Sequence, residues 1–171
     1  MPRTYSRAKQ PANNRKLMTT PGKELLFLAL GGSGEIGMNV NLYGCDGKWV
    51  MVDLGLTFAD PAYPGIDLIL PDLDFIEKNR DNLLGIVLTH GHEDHIGAIP
   101  YLWPQLQCPI WATPFTASLL RAKLDEAGLA GKVPITLSVS GTRMAMRGSI
   151  AVFPTNASSE RLIPGAMMPP L

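Results

Sequence analysis

Residues 25–30 read LLFLAL, an unbroken apolar run. Two alternating runs follow, MNVNLYG and KWVMVDLG, joined by Cys45-Asp46-Gly47-Lys48. Alternation with period two is the strand pattern, and Asp-Gly between two such runs predicts a hairpin. The apolar run before it predicts a buried first strand. Residues 56–71 hold Pro61, Pro64 and Pro71 and predict an ordered loop. Residues 72–82, DLDFIEKNRDN, predict a helix capped by Asp72. A second apolar run, LLGIVLT at 83–89, predicts another buried strand. A short helix around 97–106, a strand PIWAT at 109–113 and a helix from Pro114 to Ala127 complete the clear pattern. Thr113 is the predicted N-cap of that last helix, Pro114 its first residue and Gly128 its stop. Short strands are predicted at 133–139 and 149–153. Strands first, then strand and helix in alternation, predict an α/β layered fold.

Gly32-Ser33-Gly34-Glu35-Ile36-Gly37 matches the G-x-G-x-x-G pattern of dinucleotide sites. That motif must open a helix. Here a period-two run follows, with no room for a crossover helix, so a nucleotide fold is not expected. The glycines instead predict a loop that passes close to other backbone.

Charge sharpens the outline. The net charge is 0, yet Arg3, Arg7, Lys9, Arg15, Lys16 and Lys23 lie in the first 23 residues with no acid among them. That segment has little apolar content and no period, so it is expected to be a disordered basic tail, 1–23. A solvated arm, a hook for RNA phosphates and a transit peptide all fit its composition. No apolar run is long enough for a helical membrane span. Cys45 and Cys108 stand alone and are expected to be reduced, as in a cytoplasmic protein.

All three histidines of the chain fall in residues 89–97, THGHEDHIG. A strand delivers His90, and His92, Asp94 and His95 follow in a turn entering a helix. A turn lets four such side chains converge, which neither a strand nor a helix would do. Imidazole nitrogen and carboxylate oxygen are ligands of zinc and similar divalent metals. H-x-H-x-D-H at this spacing can serve two neighbouring cations, His90 and His92 on one, Asp94 and His95 on the other. Such a pair suits hydrolysis. Asp53, closing the strand WVMVD, is either a turn carboxylate or a group that orients one of these imidazoles from behind.

LTHGHEDHIGAIPYL resembles the signature of the metallo-β-lactamase superfamily. More closely, LALGGSGEIGMN, VMVDLGLTF, PGIDLILPDLDFI and THGHEDHIGAIPYL, in that order, resemble the start of bacterial ribonuclease J over residues 25–135. The resemblance implies an αββα sandwich and a di-zinc 5′-to-3′ exonuclease and endonuclease acting on RNA. It implies that His90, His92, Asp94 and His95 are metal ligands, with Asp94 also catalytic. It further implies a structural calcium held by the backbone of Pro64 and Ile66, and a homo-oligomer in the full-length family.

The pattern is not complete. The family's later ligands are a histidine, a bridging aspartate and another histidine, but no histidine follows His95 and no aspartate follows Asp125. Composition also shifts after Lys132, where four of the eight methionines and five of the fifteen prolines occur. The expected organisation is therefore a basic tail (1–23), a partial metallo-β-lactamase domain (24–135) holding the N-terminal half of the sandwich, and an atypical segment (136–171), frame-shifted or unstructured. Weak metal binding and negligible activity are expected of this chain alone. Two rival readings remain open: a hydrolase of small thioesters or lactones on the same fold, and a non-catalytic module that binds RNA or a partner.

Overall fold

The structure is a computed structural model that describes residues 24–138 and three short strands outside them, Tyr5–Arg7, Ala145–Arg147 and Ile150–Val152. The strands in chain order are β1 (Tyr5–Arg7), β2 (Leu26–Gly31), β3 (Val40–Cys45), β4 (Lys48–Val52), β5 (Thr57–Phe58), β6 (Leu68–Leu70), β7 (Leu83–Val87), β8 (Ile110–Ala112), β9 (Ile135–Leu137), β10 (Ala145–Arg147) and β11 (Ile150–Val152). The helices are α1 (Asp74–Lys78), α2 (Glu93–Ile96), α3 (Ile99–Leu106) and α4 (Pro114–Glu126).

Six strands form the main sheet in the order β2-β3-β4-β7-β8-β9. The first three run antiparallel through hairpins, and the last three join β4 in parallel. The β3–β4 hairpin closes as its sequence demands. Asp46 (φ 50°) and Gly47 (φ 72°) both take left-handed backbone, the geometry a two-residue hairpin needs. Parallel strands cannot be joined by tight turns, so each crossover after β4 carries helix.

Period two in β3 sends Val40 and Leu42 to one face, where both are fully buried. Met51, Ile86 and Ile110 occupy that face on the neighbouring strands. Against them pack Leu73 and Ile76, Ile99 and Leu102, and Ala117, Leu120 and Leu124 in one contiguous core. This is one αβ layer pair of the expected αββα sandwich. On the other face Phe27 and Tyr43 meet at 5.2 Å between ring centres.

Several expectations need correction. The first strand is only half buried: Leu26 is 39% and Phe27 58% exposed while Leu30 is buried, because β2 is the edge of the main sheet among the described residues. The Pro-rich loop holds two short strands, β5 and β6, which pair with each other. Asp72 does not cap α1 directly. Its Oδ1 accepts from the Asp74 N–H at 2.9 Å, and the cap position falls to Leu73. Within the tail expected to lack structure, Tyr5–Arg7 runs parallel to Leu68–Leu70. Arg3, Lys9, Arg15 and Lys16 lie outside the described residues, as does most of the segment after 138. Thr113 caps α4 as expected, accepting from the Thr116 N–H. Among the described residues no helix is long and apolar enough to cross a membrane.

Cys108 is buried, and that burial pushes its thiol up to about 12, against a partial lowering by a backbone hydrogen bond. An unfolded thiol ionises near 9.0, so this stability contribution is whole below that pH and is lost as the pH climbs toward about 12. At pH 8 a thiol-specific reagent should therefore modify the half-buried Cys45 quickly and Cys108 only after denaturant is added. Equal rates in the native protein would contradict this packing. Ile86→Ala, at a fully buried position in β7, should cost about 2–5 kcal/mol in denaturant melts.

Candidate functional site

The parallel strands β4 and β7 end side by side, and the histidine turn starts where β7 stops. Asp53, one residue past β4, is 3% exposed and takes left-handed backbone at φ 62°. Aspartate tolerates that conformation better than most side chains. Its N–H donates to the Val87 carbonyl at 2.9 Å, which fixes the two strand ends together.

The Asp53 carboxylate then organises the cluster. Oδ1 accepts from the Thr89 N–H at 2.8 Å. Oδ2 accepts from the Thr89 hydroxyl at 2.8 Å and meets His95 Nδ1 at 2.8 Å. A carboxylate only accepts, so His95 carries a proton on Nδ1, and in the neutral ring Nε2 is then bare. Thr89 has one hydroxyl proton and gives it to Asp53. Its oxygen, 3.0 Å from His90 Nδ1, therefore accepts from that ring, and His90 Nε2 is bare as well. One buried acid thus fixes two imidazole tautomers, one directly and one through a hydroxyl.

Each bare nitrogen meets one further ligand-type atom. His90 Nε2 sits 3.2 Å from His92 Nδ1. His95 Nε2 sits 3.3 Å from Asp94 Oδ2. A tetrahedral cation such as zinc, with bonds of about 2.0–2.1 Å to nitrogen, holds adjacent ligand atoms about 3.3–3.4 Å apart. Both separations and both donor types fit one cation per pair. Among the described residues no three ligand-type side chains surround a single point. The His90 ring packs on His95 with centres 3.9 Å apart and meets His92 edge-on at 4.7 Å.

The backbone locks this turn from outside. The carbonyls of Glu93, Asp94 and His95 accept from the N–H groups of Leu56, Asn39 and Leu54 at 3.1, 2.8 and 2.8 Å. Gly55 lies against the turn so closely that a Cβ there would sit 1.7 Å from the Asp94 carbonyl oxygen. Asn39 Nδ2 donates to Asp94 Oδ2 at 3.1 Å and lies 3.2 Å from His95 Nε2. Glu93, between the two donor pairs in sequence, bonds the α4 ammonium of Lys123. A cavity of about 450 Å³ takes in Glu93 and Lys123 but none of the histidines; His90 and His92 are exposed, whereas the His95 side chain is only 18% exposed.

The structure thus brings together His90, His92, Asp94, His95 and Asp53. Thr89 and Asn39 join them although neither was read from the sequence as a site residue. Thr89 carried a signal as the hydroxyl between an apolar strand and the first histidine; Asn39 carried only its place after the Gly-rich loop. That loop opens no helix, and Gly32, Gly34 and Gly37 each take positive φ. Pro64 and Ile66 lie in the turn between β5 and β6, where the Ile66 N–H donates to the Tyr63 carbonyl at 3.2 Å. Arg7 lies in β1, apart in sequence from the cluster.

Comparison with known proteins places these residues in context. The family model described as the metallo-beta-lactamase superfamily matches residues 35–150. Ribonuclease J of Sinorhizobium meliloti is 49% identical over 126 residues, 71% of this chain and 22% of that protein. Ribonuclease J of Helicobacter pylori is 41% identical over 100 residues, 58% of this chain and 14% of that one. Ribonuclease J 1 of Streptococcus pyogenes is 38% identical over 136 residues, 79% of this chain and 24% of that one. The matches span between about a seventh and a quarter of the length of these relatives.

Two substitutions test the lock. Gly55→Ala should lower stability by about 3 kcal/mol, since the neighbour it strikes is backbone and cannot rotate away. Thr89→Val removes the hydroxyl at constant shape and should cost about 1 kcal/mol in denaturant melts. It should also free the His90 ring, read by NMR as a mixture of imidazole tautomers in place of one.

Proposed function

The chain belongs to the metallo-beta-lactamase superfamily, and on that premise we propose that it is a ribonuclease J-like hydrolase of RNA, using two zinc ions. The observation that carries this reading is the double pairing of donors at 3.2 and 3.3 Å, with His90 and His95 held in the ligand tautomer by Asp53 and Thr89. His90 and His92 would hold one ion, and Asp94 and His95 the other. Bound divalent cations lower the pKa of water toward neutrality and offset charge on an attacked phosphate.

The chain's own groups do the rest. Asp53 would keep His95 Nε2 turned toward its ion. Asn39 holds Asp94 Oδ2, which steadies the carboxylate proposed to take the proton from the attacking water. The exposed His90 and His92 leave one side of the cluster open to a long substrate. The identities to ribonuclease J support RNA over a thioester or lactone. The basic residues Arg3, Arg7, Lys9, Arg15 and Lys16 are proposed contacts for the RNA backbone. Calcium at the backbone of Pro64 and Ile66 is a proposed structural site only.

Each donor pair supplies two protein ligands, whereas a catalytic zinc takes three. Zinc binding by this chain is therefore expected to be weak, and hydrolysis negligible. Calorimetric titration should show weak uptake that His92→Ala reduces further. Asp53→Asn should weaken it by roughly 10–100-fold, because that substitution removes the partner that sets the His95 tautomer. Two tightly held ions per chain, or uptake indifferent to both substitutions, would reject the assignment. Cleavage of a thioester but not of an RNA phosphodiester would reject the substrate class.

A further inference from the structure

The histidine turn is flanked on two sides. On one, Asn39 reaches it from the loop after β2. On the other, α4 closes in: a Cβ at Gly91 would lie 2.5 Å from Leu119 Cδ1. α4 buries Ala117, Leu120 and Leu124 in the core, yet it leaves Phe115 73% and Leu119 37% exposed. Phe115 and Leu119 are four residues apart and so share one helix face, a turn from each other. A helix that spends its apolar residues on the core has no folding reason to hold a phenyl ring in water beside a polar cluster. Single exposed apolar residues are ordinary, but Leu119 touches the histidine turn at Gly91, and Phe115 lies one helical turn from Leu119.

We infer that Phe115, backed by Leu119, is the wall on which a base next to the scissile phosphate lies. The inference rests on the RNA reading above and adds to it a positioning residue. An aromatic face stacks on any base, because every base offers a π surface. Stacking gives position without sequence choice, and it places the adjoining phosphate over the turn that Leu119 touches. The polar donors fix the phosphate, and the ring fixes the neighbouring nucleotide in register.

The test uses the whole chain and a five-nucleotide, phosphorothioate-linked RNA carrying 2-aminopurine at each position in turn. Binding is read by anisotropy and stacking by fluorescence quenching. The wild-type chain should quench the probe strongly in one register. Phe115→Ala should abolish that quenching and weaken binding about tenfold, while its melting temperature stays within a degree or two, because the ring is mostly in solvent. Phe115→Trp should keep both signals. An abasic site in the same register should erase the difference between wild type and Phe115→Ala, as coupling between the two groups requires. RNA bound equally by wild type and Phe115→Ala, or bound without quenching in any register, overturns the wall and leaves the RNA reading standing. Failure of the wild-type chain to bind the RNA at all overturns both.

Discussion

The buried carboxylate of Asp53 is the constraint from which the rest of the site follows. It has acceptor capacity only, and it spends that capacity on the Thr89 N–H, the Thr89 hydroxyl and His95 Nδ1. Each of those donors then has no freedom left. The proton inventory of Thr89 settles His90, and that of Asp53 settles His95. The unusual backbone of Asp53 is part of the same device. Left-handed geometry turns the chain out of β4 and aims the side chain across at the end of β7. A residue without a short acceptor side chain would pay the conformational cost and gain nothing from it.

The sheet explains why this can be done on so short a segment. Parallel strands β4 and β7 stop at one edge, and their exits must diverge there. The gap is filled by Asn39 and residues 53–56 on one side and by residues 89–96 on the other. These stretches are stitched by backbone bonds, with Gly55 as the point of closest approach, and by the side chains of Asn39 and Asp53. The backbone bonds carry the shape of the turn, so Asp53 and Asn39 have only its side chains to orient.

Much of this was legible beforehand. Alternation and Asp46-Gly47 marked the hairpin, since period and turn chemistry are local properties. Thr113, Pro114 and Gly128 marked α4 for the same reason. The histidine spacing identified the donors because no structural demand places four such residues in six positions. What escaped the sequence was non-local. Strand order decides that β2 is an edge, so an apolar run there is half exposed. Asn39 reaches Asp94 across 55 positions, and no spacing rule sees that distance. Thr89 belongs to the site because of a proton count that only the Asp53 contact makes visible. The Leu73 cap differs from the expected Asp72 by one residue, because the Asx-type turn at Asp72 precedes the helix instead of joining it.

The three carbonyls tied down at residues 93–95 carry a consequence for how the protein and its ions relate. In small zinc modules, uptake of the ion and acquisition of shape are one event, and a chelator unravels the chain. Here the backbone of the turn is already secured by neighbours from a different part of the polypeptide. On the proposed reading the site would behave as a socket, in which ions arrive, leave or are exchanged for other divalent species while the scaffold keeps its form.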